Sequence, residues 1–373
     1  MAEPIYSPGL EGVIAGETAI STIAGGLQYR GYSIEDLGEH ATFEEVAYLL
    51  LYGELPTGEA LTALRKRLRE SASIPQALVD LLAKIPKGTA MMDIMRTGCS
   101  ALAHWDPDTT DNSHDANLRK AEHLLVQLPI VMAARHRLAA GQKPVPYNPE
   151  LSLAANILWM LFEKPPSERL TKAMDVSLIL YAEHEYNASA FTARVVSSTL
   201  SDMHSAVTAA IGALKGPLHG GANEAVMKVL EEVGTADRAE AWIRDALAQK
   251  RRIMGFGHRV YKTGDPRAAY LRKLCQELAD ETGNQDMESM AETIETIVRT
   301  EKNLPPNLDW PSARLYHYMG LDVDLYTPLF VVSRVTGWSA HVIEQLDNNR
   351  LIRPRANYTG PLELKWVPID QRK

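Results

Sequence analysis

Cysteine is scarce: the 373 residues hold two, Cys99 and Cys275, far apart and without a C-x-x-C pair. That excludes a disulfide scaffold and a thiolate metal site, and it suits a reducing compartment. Long apolar runs are missing too. The longest, Leu153 to Phe162 (interrupted by Asn156) and Ala206 to Leu214, fall well short of the ~18 residues of a membrane span. Met1-Ala2-Glu3-Pro4 carries neither a basic region nor an apolar core, so no secretory signal is read there. No repeat at solenoid spacing and no low-complexity segment occurs. What is present is 45% hydrophobic and 23% charged residues with a formal charge of −8. This describes a globular chain long enough for two domains. A soluble, cytoplasmic protein with neither membrane nor nucleic acid as partner is the expectation.

Punctuation separates helices far more often than strands. Ser33-Ile34-Glu35-Asp36 opens a segment whose later part, Phe43 to Tyr52, is apolar at helical spacing and ends at Gly53 and Pro56. Similar segments span 57–70, 74–84, 91–104, 117–140, 151–163, 168–186, 188–214, 223–233, 236–250, 265–281, 287–301 and 323–345. Strand candidates are few: 19–29 near the start, and Tyr358 with 366–369 near the end. The pattern predicts a mainly α fold. Breaks near Gly216-Pro217 and 303–311 mark the limits of an inserted smaller domain.

Against the acidic background, residues 250–273 concentrate positive charge. Lys250, Arg251, Arg252, Arg259, Lys262, Arg267, Arg272 and Lys273 face the single acid Asp265. Such a patch fits a bound polyanion or a solvated basic face. Within it, Gly255 and Gly257 bracket Phe256 ahead of His258, placing flexible backbone beside a titratable ring. Asp265-Pro266-Arg267 reads as a helix start with Asp265 as N-cap.

A second glycine-framed histidine, His219, lies in Gly216-Pro217-Leu218-His219-Gly220-Gly221-Ala222-Asn223. Asn223 reads as the cap of the next helix, whose dipole would lower the histidine pKa. A neutral imidazole can donate a hydrogen bond to a developing enolate oxygen. In Asn307-Leu308-Asp309-Trp310-Pro311, Asp309 reads either as an N-cap or as a desolvated carboxylate base. Two polar residues intrude on apolar stripes: His184, after Val176 and Leu180, and Arg334, among Val331, Val335, Trp338 and Val342. A buried arginine requires an anionic partner, and no neighbouring turn supplies one. Arg353-Pro354-Arg355 adds a further basic group.

Together these strings resemble the citrate synthases and their relatives the 2-methylcitrate synthases. The likeness runs from Gly9-Leu10-Glu11-Gly12-Val13 and Tyr29-Arg30-Gly31-Tyr32 to Arg350-Leu351-Ile352-Arg353-Pro354. G-P-L-H-G-G-A-N-E, G-F-G-H-R-V-Y-K-x-x-D-P-R and N-x-D occur in the family's order. The resemblance implies a helical homodimer, with a smaller domain of 218–314 inserted between 1–217 and 315–373 and closing over substrate. It implies that His219, His258 and Asp309 are catalytic. Asp309 would take a proton from acetyl-CoA, His219 would hold the enol, and His258 would polarise the oxaloacetate carbonyl. His184, Arg267 and Arg334 would bind oxaloacetate, with Arg353 reaching across from a second subunit. Lys262 and the loop Met254, Gly255, Phe256 and Gly257 would bind CoA, which is a substrate. No further cofactor and no metal is implied. The chain lacks the N-terminal extension of the longer, NADH-inhibited hexamers, so a dimer without that control is the expectation.

His184-Glu185-Tyr186-Asn187-Ala188-Ser189 and Trp310, where many citrate synthases carry Phe or Tyr, lean toward the methylcitrate branch. Propionyl-CoA is therefore the alternative acyl donor. Two readings from other classes compete. A metal-dependent hydrolase would use His184, His219 and His258, but no H-x-x-x-H or H-E-x-x-H pair is present. A non-catalytic helical scaffold would not bury Arg334.

Overall fold

A computed structural model of the chain describes residues 6–258, 261 and 264–372. Sixteen α-helices build the described residues. The first ten are α1 (Ile34–His40), α2 (Phe43–Tyr52), α3 (Gly58–Glu70), α4 (Gln76–Lys84), α5 (Met91–Leu102), α6 (His114–Ala139), α7 (Leu153–Phe162), α8 (Glu168–Tyr181), α9 (Ala188–Ser197) and α10 (Met203–Leu214). Then follow α11 (Ala222–Val233), α12 (Ala236–Ala248), α13 (Pro266–Thr282), α14 (Gln285–Lys302), α15 (Asp309–Tyr318) and α16 (Tyr326–Asp347). Side-chain oxygens start most of them. Ser33, Thr57, Ser113, Ser152, Ser167, Asn187, Asp202 and Asp265 each accept an orphan amide of the first turn. Thr42 and Glu45 complete a capping box at α2.

The strand expected over 19–29 becomes part of a small antiparallel sheet of two-residue strands, Ser21–Thr22, Gln28–Tyr29 and Tyr32–Ser33, with Ser21 opposite Tyr29 and Tyr29 opposite Tyr32. Near the end, Tyr358 and 366–369 form no strand. The chain after α16 runs as an exposed irregular tail with a 3-10 turn at Ile369–Gln371.

Two expected helices are broken. The segment over 188–214 divides into α9 and α10, because Asp202 caps a new helix and Leu200 adopts φ of 67°. The helix expected over 168–186 stops at Tyr181. There the hydroxyl of Tyr29 inserts between two groups that would otherwise pair along the helix. It accepts from the Glu183 amide at 3.1 Å and donates toward the Ile179 carbonyl at 3.1 Å. His184 therefore lies in a loop beyond α8, not on its buried face.

Helix α16 is the centre of the molecule. It packs on α2, α6, α8, α9 and α10, and all but four of its 22 residues are buried. A helix apolar on every side belongs inside a core. Some of its buried polar groups have specific partners, among them His341 and Ser333. Arg194, which can only donate, gives Nε–H to His341 Nδ1 at 2.8 Å, so the His341 proton sits on Nε2 and faces Glu183 Oε1 at 2.9 Å. Helices α11 to α15 pack on one another, with α12 on α14 and α13 on α15. From this group α13 reaches α1 and α8, and α11 reaches α16.

The crossing of α16 with the 182–183 loop leaves no room for a methyl group at Gly337, where a Cβ would stand 2.2 Å from Glu183 Oε2 and 2.4 Å from the Ala182 carbonyl. Gly337→Ala should therefore destabilise by about 1–3 kcal/mol in denaturant unfolding. Gly58→Ala, at a position with nothing within 4 Å, should stay within about 0.5 kcal/mol of the parent. Equal midpoints for the two would refute the close packing.

Candidate active site

Three short segments meet at one cavity of about 650 Å³, lined among others by Tyr181, His184, His219, His258, Arg267, Asp309, Phe330 and Arg334. In the first, the chain leaves α10 and turns back on Gly216, whose carbonyl accepts from the amides of His219 at 2.9 Å and Gly220 at 3.1 Å. Gly220 is obligatory here, since a Cβ would stand 2.2 Å from the Leu214 carbonyl. The next helix starts at Ala222 with Gly221 as its cap, so Asn223 is a first-turn residue and not the cap expected.

The His219 ring is oriented by Ser189. The Ser189 amide donates to His219 Nε2 at 3.2 Å, and the Ser189 hydroxyl lies 2.8 Å from the same nitrogen. An amide can only donate, so Nε2 is the acceptor and the neutral ring carries its proton on Nδ1. Burial pushes the His219 pKa down to about 4, with Arg334 adding to the effect. Burial and the Arg334 charge thus favour the neutral imidazole expected here.

The second segment is 254–267. Gly257 donates to the Pro305 carbonyl at 2.8 Å, and Asn307 bonds back to the carbonyls of Gly255 (2.9 Å) and Gly257 (2.9 Å). Gly255, at φ 88°, lies so close to Val226 and Trp310 that a Cβ would stand within 2.9 Å of both. Met254 to Gly257 thus back the cavity without lining it. Lys262 lies outside the described residues. The Tyr261 amide donates to His258 Nδ1 at 3.3 Å, which leaves the proton of a neutral ring on Nε2. His184 Nε2 lies 3.1 Å from the Tyr261 hydroxyl, and burial, Arg267 and Arg334 hold its pKa well below the ordinary value.

Asp265 caps α13 as expected and does more. It binds Arg267 through both oxygens, at 2.9 and 2.8 Å, and accepts the Leu308 amide at 3.2 Å. Two other basic residues of the stretch pair with surface acids or their neighbours: Arg251 with Glu232, and Arg272 with Glu292 and Glu295.

The third segment decides between the two readings of Asp309. Helix α15 begins at Asp309, and Asn307 Oδ1 accepts the Asp309 amide at 3.0 Å. Asn307 takes the turn-forming task, and the Asp309 carboxylate is free for other work. Leu308 and Trp310 are buried on either side. Burial raises the Asp309 pKa, while a hydrogen bond from Tyr181 and the charge of Arg267 oppose the rise.

Arg334 is 2% exposed and ion-pairs with no carboxylate among the described residues. Its Nε donates to the Tyr181 carbonyl at 2.6 Å, and the guanidinium stands 4.6 Å from the Phe330 ring centroid. Burial lowers its pKa to about 10, with Glu183 opposing, so it stays charged at neutral pH. The anionic partner not found in neighbouring turns of the sequence is not found among the described residues either, and the cavity is where a ligand anion would supply it.

Of the residues expected at the site, His184, His219, His258, Arg267, Asp309 and Arg334 line this cavity, and Arg353 lies apart on the exposed tail. Sequence reasoning missed Tyr181, Ser189, Asn307 and Phe330. Only Asn307, two residues before Asp309, carried a local signal. Among the described residues, the grouping spaced to hold a metal ion is His136, Asp322 and Asp324, and it shares no residue with this cavity.

A buried carboxylate, neutral histidines and unneutralised guanidinium charge in one helical cavity define a class: acid–base enzymes that act on a small polyanion. Comparison with known proteins narrows it. The family described as Citrate synthase, C-terminal domain, matches residues 9–355. Citrate synthase 2 of Bacillus subtilis (strain 168) is 48% identical, covering 98% of each chain. The 2-methylcitrate synthase of Shewanella oneidensis is 46% identical over 100% of this chain and 99% of its own. Among solved structures, a citrate synthase of Thermoplasma acidophilum in ternary complex with carboxymethyl coenzyme A and oxaloacetate superposes with a TM-score of 0.93 at 35% identity, covering 99% of this chain and 100% of that one. The chain belongs to the citrate synthase family, whose members are condensing acyltransferases.

The Ser189 contacts make a spectroscopic prediction. In nitrogen-15 NMR of the free protein, His219 should show the Nδ1–H tautomer and titrate near pH 4, remaining neutral above it. An imidazolium at pH 6 would contradict the assignment.

Proposed function

We propose that the chain condenses acetyl-CoA with oxaloacetate and hydrolyses the resulting citryl-CoA to citrate and CoA. The observation that carries this reading is the shared placement of Asp309, His219 and Arg334: a buried carboxylate, an Nδ1–H donor on a neutral ring and a guanidinium with no carboxylate partner among the described residues line one cavity. Asp309 takes a proton from the methyl carbon while the thioester carbonyl becomes an enolate. His219 Nδ1–H hydrogen-bonds that oxygen, as a neutral donor can without losing its proton. The enolate carbon attacks the oxaloacetate keto carbon, and His258 Nε2–H hydrogen-bonds the new alkoxide. Water then cleaves the thioester and CoA leaves as the thiol.

Arg334, Arg267 and His184 hold the oxaloacetate carboxylates, with charge-assisted bonds from the arginines. Lys262 and the 254–257 loop hold CoA. Residues 218–314 form a smaller domain that closes over the substrates and keeps water from the enol. The mutual packing of α11 to α15 supports that unit. No cofactor beyond the CoA substrate takes part, and the location is cytoplasmic. A homodimer belongs to the same reading. Leu351, Tyr358, Leu364, Trp366 and Ile369 stand exposed on the C-terminal tail, apolar surface of the kind a second subunit covers, and Arg353 travels with it. The second reading is 2-methylcitrate synthesis from propionyl-CoA, favoured by the equally extensive match to the Shewanella oneidensis enzyme.

Thiol release with oxaloacetate and each CoA thioester tests the whole. Release with acetyl-CoA is expected, and none with either thioester would overturn the reading. The ratio of kcat/KM ranks the donors, a single methylene being worth about 10–200-fold. Asp309→Asn should abolish turnover while preserving oxaloacetate binding. Activity should fall as pH drops through the raised Asp309 pKa, because the protonated acid is no base. Mixing Asp309→Asn with Arg353→Ala subunits should restore about a quarter of wild-type activity, since half the random dimers hold one intact site. No restoration would place Arg353 in its own subunit's site, and activity of the Arg353→Ala protein alone would place it outside catalysis.

A further inference from the structure

The group that touches the base most directly is one the sequence did not mark. Tyr181 ends α8, is 2% exposed, and holds its hydroxyl 2.9 Å from Oδ1 of Asp309 and 2.7 Å from Oγ of Ser312. Valence sets the direction of both bonds. An ionised carboxylate only accepts, so the phenol gives its single proton to Oδ1. Ser312 must then donate to the phenol oxygen, forming a one-way chain from Ser312 through Tyr181 to Asp309. Asp309 Oδ2 has no hydrogen bond within the described residues.

We propose that Tyr181 is the positioning residue of the base, occupying Oδ1 so that Oδ2 alone meets the carbon acid and keeping the buried carboxylate ionised. The inference rests on the condensation reading above for what Oδ2 abstracts, and on geometry for the rest. The ring cannot drift: it lies 4.5 Å from the Phe330 centroid, and its carbonyl holds Arg334 Nε at 2.6 Å. One residue therefore sits between the arginine that waits for an anion and the carboxylate that waits for a methyl proton. That proton passes to Oδ2, and the phenol keeps its own. Burial and the charge of Asp309 hold the phenol well above its ordinary range, so it does not act as the base itself.

Tyr181→Phe removes the hydroxyl and retains the ring against Phe330; Ser312→Ala removes the donor behind it. Carbon-13 carboxyl NMR of the free protein, with the Asp309 signal identified by its loss in Asp309→Asn, reads the effect without any turnover. The Asp309 midpoint should rise by about one pH unit in Tyr181→Phe, the size expected for losing a hydrogen bond to a charged group, and by less in Ser312→Ala. In thiol release, the acid limb of kcat/KM should move up with it and kcat near neutrality should fall about tenfold. KM for oxaloacetate should stay within about twofold of the parent. An unmoved Asp309 midpoint, or an unchanged acid limb in Tyr181→Phe, overturns the inference. A shifted midpoint in a protein that releases no thiol leaves the pairing standing and refutes the condensation reading alone.

Discussion

The site is organised around a positive charge that has been taken out of water with no carboxylate ion pair among the described residues. Burying a guanidinium is costly unless something answers it, and at Arg334 the protein supplies only partial answers. The Tyr181 carbonyl takes one donor, the Phe330 ring faces the cation, and Glu183 acts from behind. Glu183 is in turn fixed by His341, and His341 by Arg194. The chain of contacts runs through the core of α16, so the most deeply packed helix of the fold is also the support of its most polar residue. The unanswered remainder of that charge is what makes the cavity receptive to an anion.

Around this centre, each group proposed to be catalytic is held by a neighbour that relieves it of a structural task. Asn307 forms the turn that would otherwise occupy Asp309. Ser189 takes Nε2 of His219, which leaves Nδ1–H for the cavity. The Tyr261 amide does the corresponding service at His258 Nδ1. At Asp309 and His219 a neutral donor or acceptor of the scaffold thus sets the orientation of the group. Preorganisation of this kind is what an acid–base site requires, because no group must reorient during the reaction.

Much of this was legible in the chain. Helical periodicity and capping residues placed nearly every element, and glycine framing singled out His219 and His258. The failures share one physical origin, which is tertiary contact overriding local preference. Helix α8 has the pattern to continue past His184, yet it ends because Tyr29, about 150 residues earlier, interposes its hydroxyl in the hydrogen-bond ladder. Asp309 looked like a cap because Asp before Trp-Pro is a good local cap, and only the folded structure shows the helix already begun at Asp309, with Asn307 Oδ1 accepting its amide. Tyr181 was invisible for a simpler reason. A tyrosine near a helix end is unremarkable until the chain brings Asp309 against it.

Asp265 carries a different kind of consequence. Its two oxygens serve the α13 cap, the Arg267 fork and the amide of Leu308 at once, and the 254–257 loop is tied to 305–307 alongside it. Substitutions on these two stretches are therefore expected to be strongly epistatic, since a change that retunes the arginine also tilts the helix that bears the carboxylate. Descent with new substrate preference has little freedom along this seam. It has more on cavity walls whose residues answer to one neighbour only, so divergence within such a lineage should be uneven around the cavity.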